Sequence, residues 1–166
     1  YTLRLHTHSL AFRLSPPLGL FKSTAGGPFE EITRSAGAGS YRVDGSGGDF
    51  SEFLIAVASR PIDVVIAEKF EALDRALTTY GALIAPETLS ALGAGFGHAR
   101  TLYEVGMLSD AMESLESFLS LVRAQSGITI PDVWRAHDDL VNVAGLLRAG
   151  AETLRYSLQL KANGLP

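Results

Sequence analysis

Two histidines in the segment LRLHTHSL, residues 3–10, are the side chains of this sequence with the clearest capacity for chemistry. His6 and His8 lie two residues apart, and alternate side chains of a β-strand point to the same face, so one strand could present both imidazoles together. The pair could supply two zinc ligands in a metal-dependent hydrolase or a metal-binding protein. Zinc needs three or four ligands, and His98 and His137 lie about 90 and 130 residues further along. We therefore favour the alternative that the pair is a surface feature at the rim of a strand.

Other catalytic patterns are missing from the sequence. The chain has no cysteine, which excludes disulfides, thiolate zinc sites and cysteine nucleophiles. No serine lies in a nucleophile-elbow context, and neither glycine-rich segment has the lysine and hydroxyl of a phosphate-binding loop. Glu30 and Glu31 are adjacent on a predicted strand and would face opposite ways. The sequence predicts a protein that is not an enzyme and that has no cofactor.

The composition indicates which partners this chain can have. Hydrophobic residues make up 46% and charged residues 19%, against roughly 25% charged in an average soluble domain. This shortage of charge favours a homo-oligomer or a subunit of a larger assembly, in which a partner covers apolar surface. The net charge of −4, without any basic cluster, makes nucleic acid an improbable partner. No apolar run reaches the ~18 residues of a transmembrane segment.

The first 58 residues show the two-residue period of β-strands. Tyr1, Leu3 and Leu5 alternate with polar residues, and FEEITR and SYRV are further short strand candidates. The glycine-rich residues 44–49 predict a turn, and the apolar residues 50–58, FSEFLIAVA, are expected to form the central strand. The pattern predicts a small antiparallel sheet with one face covered by other elements.

Residues 59–166 show the period of helices. Four helices are predicted, with starts near Pro61, Pro86, Ser109 and Asp132, because proline suits a first turn and serine or aspartate can cap one. The sequence therefore predicts an α+β fold in which the sheet of residues 1–58 packs against a bundle of about four helices. Three glycines in the second helix each cost about 1 kcal/mol relative to alanine, so we expect a close backbone crossing there.

The C-terminal segment has an ambiguous pattern. Leu154, Tyr156, Leu158 and Leu160 alternate with polar residues, although the surrounding residues favour a helix. The alternation favours a terminal strand over residues 156–161, which could complete the sheet or pair with a neighbouring molecule through Tyr156, Leu158 and Leu160. The single tryptophan, Trp134, is either a buried plug at the junction of sheet and bundle or an anchor on a partner surface.

Two stretches resemble known bacterial sequences. Apolar and small residues at helical spacing resemble the FIMAH-type helical module of secreted bacterial proteins over about residues 89–147; they are Gly106, Ala111, Leu115, Phe118, Val122, Ala124, Gly127, Ile130, Ala136, Leu140 and Ala144. The segment IPDVWRAHDDLVNVAGLLRAGAETLRYSL is similar to the C-terminal signature of uncharacterised exported proteobacterial proteins. The resemblances imply a location outside the cytoplasm (periplasm, cell surface or medium) and a supporting, non-catalytic role. A chain that begins at Tyr1 without methionine is consistent with a removed export signal or a trimmed terminus.

Three functional hypotheses follow from these patterns. The first is a non-catalytic structural or adhesive subunit of an exported bacterial complex, which assembles through sheet edges and apolar surface. The second is the metal-dependent protein centred on His6 and His8. The third is a glycan-binding or small-molecule-binding accessory domain, whose groove Tyr41, Phe50, Phe53 and Trp134 could line if they are not buried in a core.

Overall fold

The structure, a computed structural model, confirms the predicted α+β class. It describes residues 1–7, 17–24, 26–37, 42–47, 51–133, 135 and 140–165. The strands of this part are β1 Thr2–His6, β2 Leu18–Ser23, β3 Glu30–Glu31, β4 Thr33–Gly37, β5 Arg42–Ser46 and β6 Glu52–Val57. The helices are α1 Ile62–Tyr80, a short 3-10 turn Gly81–Leu83, α2 Pro86–Glu104, α3 Leu108–Gln125 and α4 Val143–Ala162. Strands therefore come first along the chain and helices follow.

The strands form two small antiparallel sheets, and not the one sheet that the sequence predicted. The strand orders are β1-β5-β4 in the first sheet and β3-β2-β6 in the second. The two sheets pack closely at Gly45 of β5, where a Cβ atom would lie 2.7 Å from Leu20 Cδ2 and 2.8 Å from the Ile32 carbonyl oxygen. Glycine is required at this contact. Leu18, Leu20, Ile32 and Val43 form a separate small core between the sheets.

The described strands differ from the prediction in three ways. Among them, the apolar segment 52–57 lies at the edge of the second sheet, because β2 occupies the centre of the order β3-β2-β6. We did not predict β2 because two prolines precede it, although proline is compatible with the residue before a strand. The expected turn at residues 44–49 begins later than predicted, since β5 continues through Ser46 and pairs with β1.

The first three helices lie where the sequence predicted them, and their apolar stripes form the main core. This core includes Phe70 of α1, Phe96 of α2 and Phe118 of α3. The predicted close crossing at Gly93, Gly95 and Gly97 is wrong, because a Cβ atom at each of them would meet no atom within 4 Å. No helix in the described part of the chain is long and apolar enough to cross a membrane.

The fourth helix differs most from its prediction. It begins at Val143 and not near Asp132, and the Asn142 side chain caps it by accepting a hydrogen bond from the Gly145 N–H at 2.7 Å. The predicted strand at 156–161 is also wrong, because α4 continues to Ala162. Apolar residues at every second position also contain pairs four residues apart, which share one helix face. Leu154 and Leu158 form such a pair, and both are fully buried in the bundle core.

Candidate functional site

The described structure includes only some of the residues predicted to bind a metal or a partner. His6 ends β1 with an exposed side chain, opposite Arg42 in the strand register. His8, His137 and Trp134 lie outside the described residues. Within the described ranges, no group of three or more histidine, aspartate or glutamate side chains could hold a metal ion. The metal site at His6 and His8 therefore stays a prediction.

The aromatic groove of the accessory-domain hypothesis is also only partly described. Phe53 is half-buried against the small core between the sheets, and the Tyr1 ring contacts it edge-on with ring centroids 5.9 Å apart. Tyr41 and Phe50 lie outside the described residues. Phe53 therefore packs against this small core, and the predicted groove stays a prediction.

The C-terminal residues predicted to pair with a partner have different positions on α4. Leu158 is fully buried in the bundle core, so it cannot contact another molecule while the helix is packed. Tyr156 and Leu160 are half-buried and line a cleft between the helices and the second sheet. Tyr156 and Leu160 therefore line a cleft that this chain forms by itself.

The cleft has a volume of about 210 Å³ and lies where the sheet meets the bundle. Residues of β2, β6, the start of α1 and the end of α4 form its walls. The apolar lining consists of Pro17, Leu18, Phe21, Val57, Ala58, Ile62, Val65, Leu160 and Leu165, and the polar lining of Glu31, Thr33, Ser59, Arg60, Tyr156 and Ser157. A wider groove of about 550 Å³ shares Glu31, Arg60 and Val65 with the cleft.

A buried ion pair separates the cleft from the groove. The Lys69 ammonium of α1 contacts the Glu31 carboxylate of β3, and each side chain is only 9% exposed. Lys69 Nζ also donates to the Ser157 hydroxyl at 2.8 Å and to the Thr153 carbonyl oxygen at 3.2 Å. Burial lowers the pKa of the Lys69 ammonium, and the Glu31 carboxylate opposes that effect. With its three donors directed at three oxygens, the ammonium is fully engaged.

The sequence analysis did not predict this ion pair. The signal was present, since Lys69 lies three residues after Ile66 and four before Leu73, and both of those are buried. A lysine in line with a buried stripe predicts a buried ammonium that needs an acceptor. The sequence could not identify Glu31 as that acceptor, because the contact depends on how β3 packs against α1.

Four residues with hydroxyl groups line the cleft, Thr33, Ser59, Tyr156 and Ser157, and two of these hydroxyls accept a hydrogen bond within the described part of the protein. Thr33 Oγ1 accepts from the Leu20 N–H at 2.9 Å, and Ser157 Oγ accepts from Lys69 Nζ. Burial, followed by the charge of Glu31, raises the pKa of Tyr156 to about 12, and the backbone of Ala36 opposes that shift.

Arg60 lies at the mouth of the cleft, just before α1. Its Nη1 donates to both carboxylate oxygens of Glu68, at 2.8 and 2.7 Å. Both side chains are about half exposed, so the pair is weak by comparison with the buried one. The charges lining the cleft are therefore balanced in two pairs, one buried and one at the surface.

Most of the polar groups of the cleft described so far are already engaged with other groups of the protein. Glu31, the carboxylate that lines the cleft, is paired with Lys69, and the described hydroxyls of the cleft have no basic partner free to activate them.

A search of curated proteins finds no match to this chain. A family model does match, over residues 1–162, and its description is a family of unknown function. The chain belongs to this family, DUF6689.

Proposed function

We propose that this protein is a non-catalytic accessory protein that holds a small, largely apolar molecule in the cleft between its second sheet and its helices. The observation that supports the proposal most directly is the cleft itself, with nine apolar and six polar residues in its walls. Small-molecule sites have this composition and commonly lie at junctions between structural units.

The volume of the cleft limits the size of the molecule. An engineered apolar cavity of about 150 Å³ binds benzene, so about 210 Å³ suits a ligand of roughly eight or nine non-hydrogen atoms. The non-catalytic part of the proposal is supported by the pairing of Lys69 with Glu31 and of Arg60 with Glu68. An exported location belongs to the same proposal and is supported by the sequence resemblances alone.

Ligand screening with a blocked variant tests this function. Ala58 lines the cleft with only a methyl group, so Ala58→Trp should fill the space without removing a packed side chain. Ala72→Trp places the same ring in the wider groove and is the matched control. We expect small aromatic molecules to shift cleft resonances of the unaltered chain and of Ala72→Trp in NMR spectra, but not those of Ala58→Trp.

Two results would count against a ligand-binding cleft. One is the absence of any shift in the unaltered chain across a panel of apolar molecules of this size. The other is an equal response of the two tryptophan variants, since the binding would then lie elsewhere. If circular dichroism shows that Ala58→Trp is unfolded, Ala58→Leu provides a smaller block at the same position.

A second candidate function is assembly through the edge of the second sheet. Among the described strands, β6 pairs with β2 alone, and residues 53–57 on it are all apolar and half-buried. An edge strand of this kind, without a charge at its centre, is prone to pair with another chain. The C-terminal strand exchange that the sequence suggested is excluded, because those residues form α4.

The assembly candidate has its own test. A lysine on an edge strand disfavours edge-to-edge pairing, so Ala56→Lys should shift the mass measured by light scattering towards that of one chain. Gly97→Lys adds the same charge on the outer side of α2, where a side chain meets no neighbour, and should leave the mass unchanged. A single-chain mass for the unaltered protein at high concentration would remove this candidate.

A further inference from the structure

We propose that the molecule held in the cleft is a small carboxylic acid with an apolar body, bound as its anion with the carboxylate at Arg60. This inference rests on the proposed binding function and specifies its ligand class. It follows from the position of Arg60 and from the part of its guanidinium that the protein leaves unused.

Arg60 is the accessible charge of the cleft. Glu31 and Arg60 are the two charged residues among those that line the cleft in the described part of the chain. The Glu31 side chain is 9% exposed and contacts the Lys69 ammonium, so its charge is balanced and largely shielded. The Arg60 side chain is 47% exposed. An anion that enters the mouth of the cleft therefore meets a cation.

The guanidinium of Arg60 has unused donors. Arginine has five N–H donors on three nitrogens. In the described part of the chain only Nη1 is used, for the two carboxylate oxygens of Glu68. Nε and Nη2 keep three N–H groups, and the edge that these two nitrogens share can bind a carboxylate through both of its oxygens. Ser59, the preceding residue, is also exposed and lines the cleft, so its hydroxyl is a further donor at the same place.

Glu68 competes only weakly with a ligand for Arg60. Its side chain is 51% exposed, and it lines the wider groove and not the cleft. Ion pairs between exposed side chains are weak, because water and salt screen them. A ligand carboxylate can therefore bind beside Glu68 or displace it at low cost. Transfer of the apolar body from water into the cleft supplies the remaining affinity.

Three probes of nearly equal size and shape separate the effect of charge from that of the apolar body. Benzoate, benzamide and benzamidinium share a benzene ring and carry a negative charge, no charge and a positive charge. We expect benzoate to bind the unaltered chain about three- to tenfold more tightly than benzamide, the range of a charged hydrogen-bonded contact that is partly exposed. Benzamidinium should bind most weakly, because it brings a second cation to Arg60. NMR titration of the cleft resonances at neutral pH measures the three dissociation constants.

Two arginine variants test whether Arg60 causes the preference. Arg60→Gln removes the charge, so benzoate should bind no more tightly than benzamide. Arg75→Gln makes the same change at an exposed arginine that lines the wider groove and not the cleft, and it should keep the full advantage of benzoate. Circular dichroism verifies that both variants fold. The comparison of the three probes on the unaltered chain does not depend on either variant.

Each outcome decides a different statement. Equal affinity for benzoate and benzamide, or tightest binding of benzamidinium, would overturn the carboxylic acid class and leave the binding function intact. An advantage of benzoate that survives in Arg60→Gln would overturn the assignment of the carboxylate to Arg60. If none of the three probes binds the unaltered chain, the binding function itself fails for molecules of this size, and the ligand class fails with it.

Discussion

The Lys69 ammonium and the Glu31 carboxylate form an ion pair with both side chains 9% exposed, and this pair joins the helical bundle to the second sheet. Glu31 uses its second oxygen to accept from the Thr33 N–H at 3.1 Å, while Lys69 donates to two oxygens of α4. Four elements, β3, β4, α1 and α4, therefore meet at one pair of charges. The pair also fixes Thr33 and Ser157, two of the hydroxyls that line the cleft.

Removal of one partner of this pair should destabilise the protein strongly. Lys69→Met leaves the Glu31 carboxylate buried without its counter-charge, and a loss of that kind costs about 3–5 kcal/mol. Urea denaturation measures the free energy of unfolding. The double variant with Glu31→Gln should recover part of the loss, because no buried charge then remains.

An exposed pair provides the control for this experiment. Arg75 and Glu71 are one helical turn apart, 3.8 Å from each other and mostly exposed. Arg75→Met should change the free energy of unfolding by less than about 0.5 kcal/mol. A similarly small change for Lys69→Met would contradict the tight, buried contact between Lys69 and Glu31.

The helical C-terminal segment predicts a sharp contrast between neighbouring residues. Leu158 is fully buried in the bundle core, so Leu158→Ala should lower the free energy of unfolding by about 2–5 kcal/mol. Gln159 is exposed, and Gln159→Ala should have an effect of less than about 0.5 kcal/mol. Thermal and urea unfolding measure both variants. A dispensable Leu158 would favour the terminal strand that the sequence suggested.

Two tyrosines should ionise late in an alkaline titration. Burial raises the pKa of Tyr156 and of Tyr103 from 10.0 to about 12, with Glu31 and Asp63 as the respective anionic neighbours. Ultraviolet absorbance follows the phenolates. Tyr156→Phe and Tyr103→Phe should each remove one late-ionising group, and a variant that leaves the late step unchanged would show that its tyrosine is not shielded.

These shifts also set the sign of the alkaline stability change. The unfolded chain releases its tyrosine protons near pH 10.0, while the folded chain retains those of Tyr103 and Tyr156 to about 12. The contribution of the two groups is fully present below the unfolded pKa and is lost as the pH rises towards 12. Urea denaturation between these values should show that loss, and it should be smaller in Tyr156→Phe.

Asp44 should contribute to the acid sensitivity of the first sheet. Its carboxylate accepts two hydrogen bonds from the Arg4 guanidinium, at 2.6 and 2.9 Å, and one from the Ser35 hydroxyl at 3.1 Å. The Arg4 hydrogen bond is the main cause that lowers the pKa of Asp44 from 3.8. Stability from this group is present above the unfolded pKa and is lost as the pH falls through the folded one.

The variant Asp44→Asn isolates that contribution. At neutral pH it should lower the free energy of unfolding by about 1 kcal/mol, since charge-assisted hydrogen bonds become neutral ones. The difference from the unaltered chain should begin to shrink below pH 3.8, where Asp44 of the unfolded chain takes up a proton, and should be lost once the pH is below the lowered pKa of the folded state. A difference that is independent of pH would mean that the carboxylate charge has no part in holding the sheet.

Local chemistry along the chain was sufficient to predict the class of the fold and most of the helices. Apolar residues at spacings of three and four, with Pro86 suited to a first turn, predict α2 and its neighbours because helix periodicity depends on residues close in sequence. The same reasoning gave a wrong prediction at Leu154–Leu160. Alternate apolar residues there fit a strand, but they also fit a helix, because residues four apart lie on the same helix face. Local spacing does not distinguish the two; the packing of Leu154 and Leu158 into the bundle does.

Only the tertiary structure decided which residues form the candidate site. The cleft is lined by residues of β2, β6, α1 and α4, which lie far apart in the sequence. No local pattern relates Glu31 to Lys69 or to Tyr156. The sequence did allow a metal site to be predicted at His6 and His8, because that prediction needs only the spacing of two nearby residues. The buried ion pair and its contacts with Thr33 and Ser157 exist because sheet and bundle pack together, and that packing depends on burial summed over the whole chain.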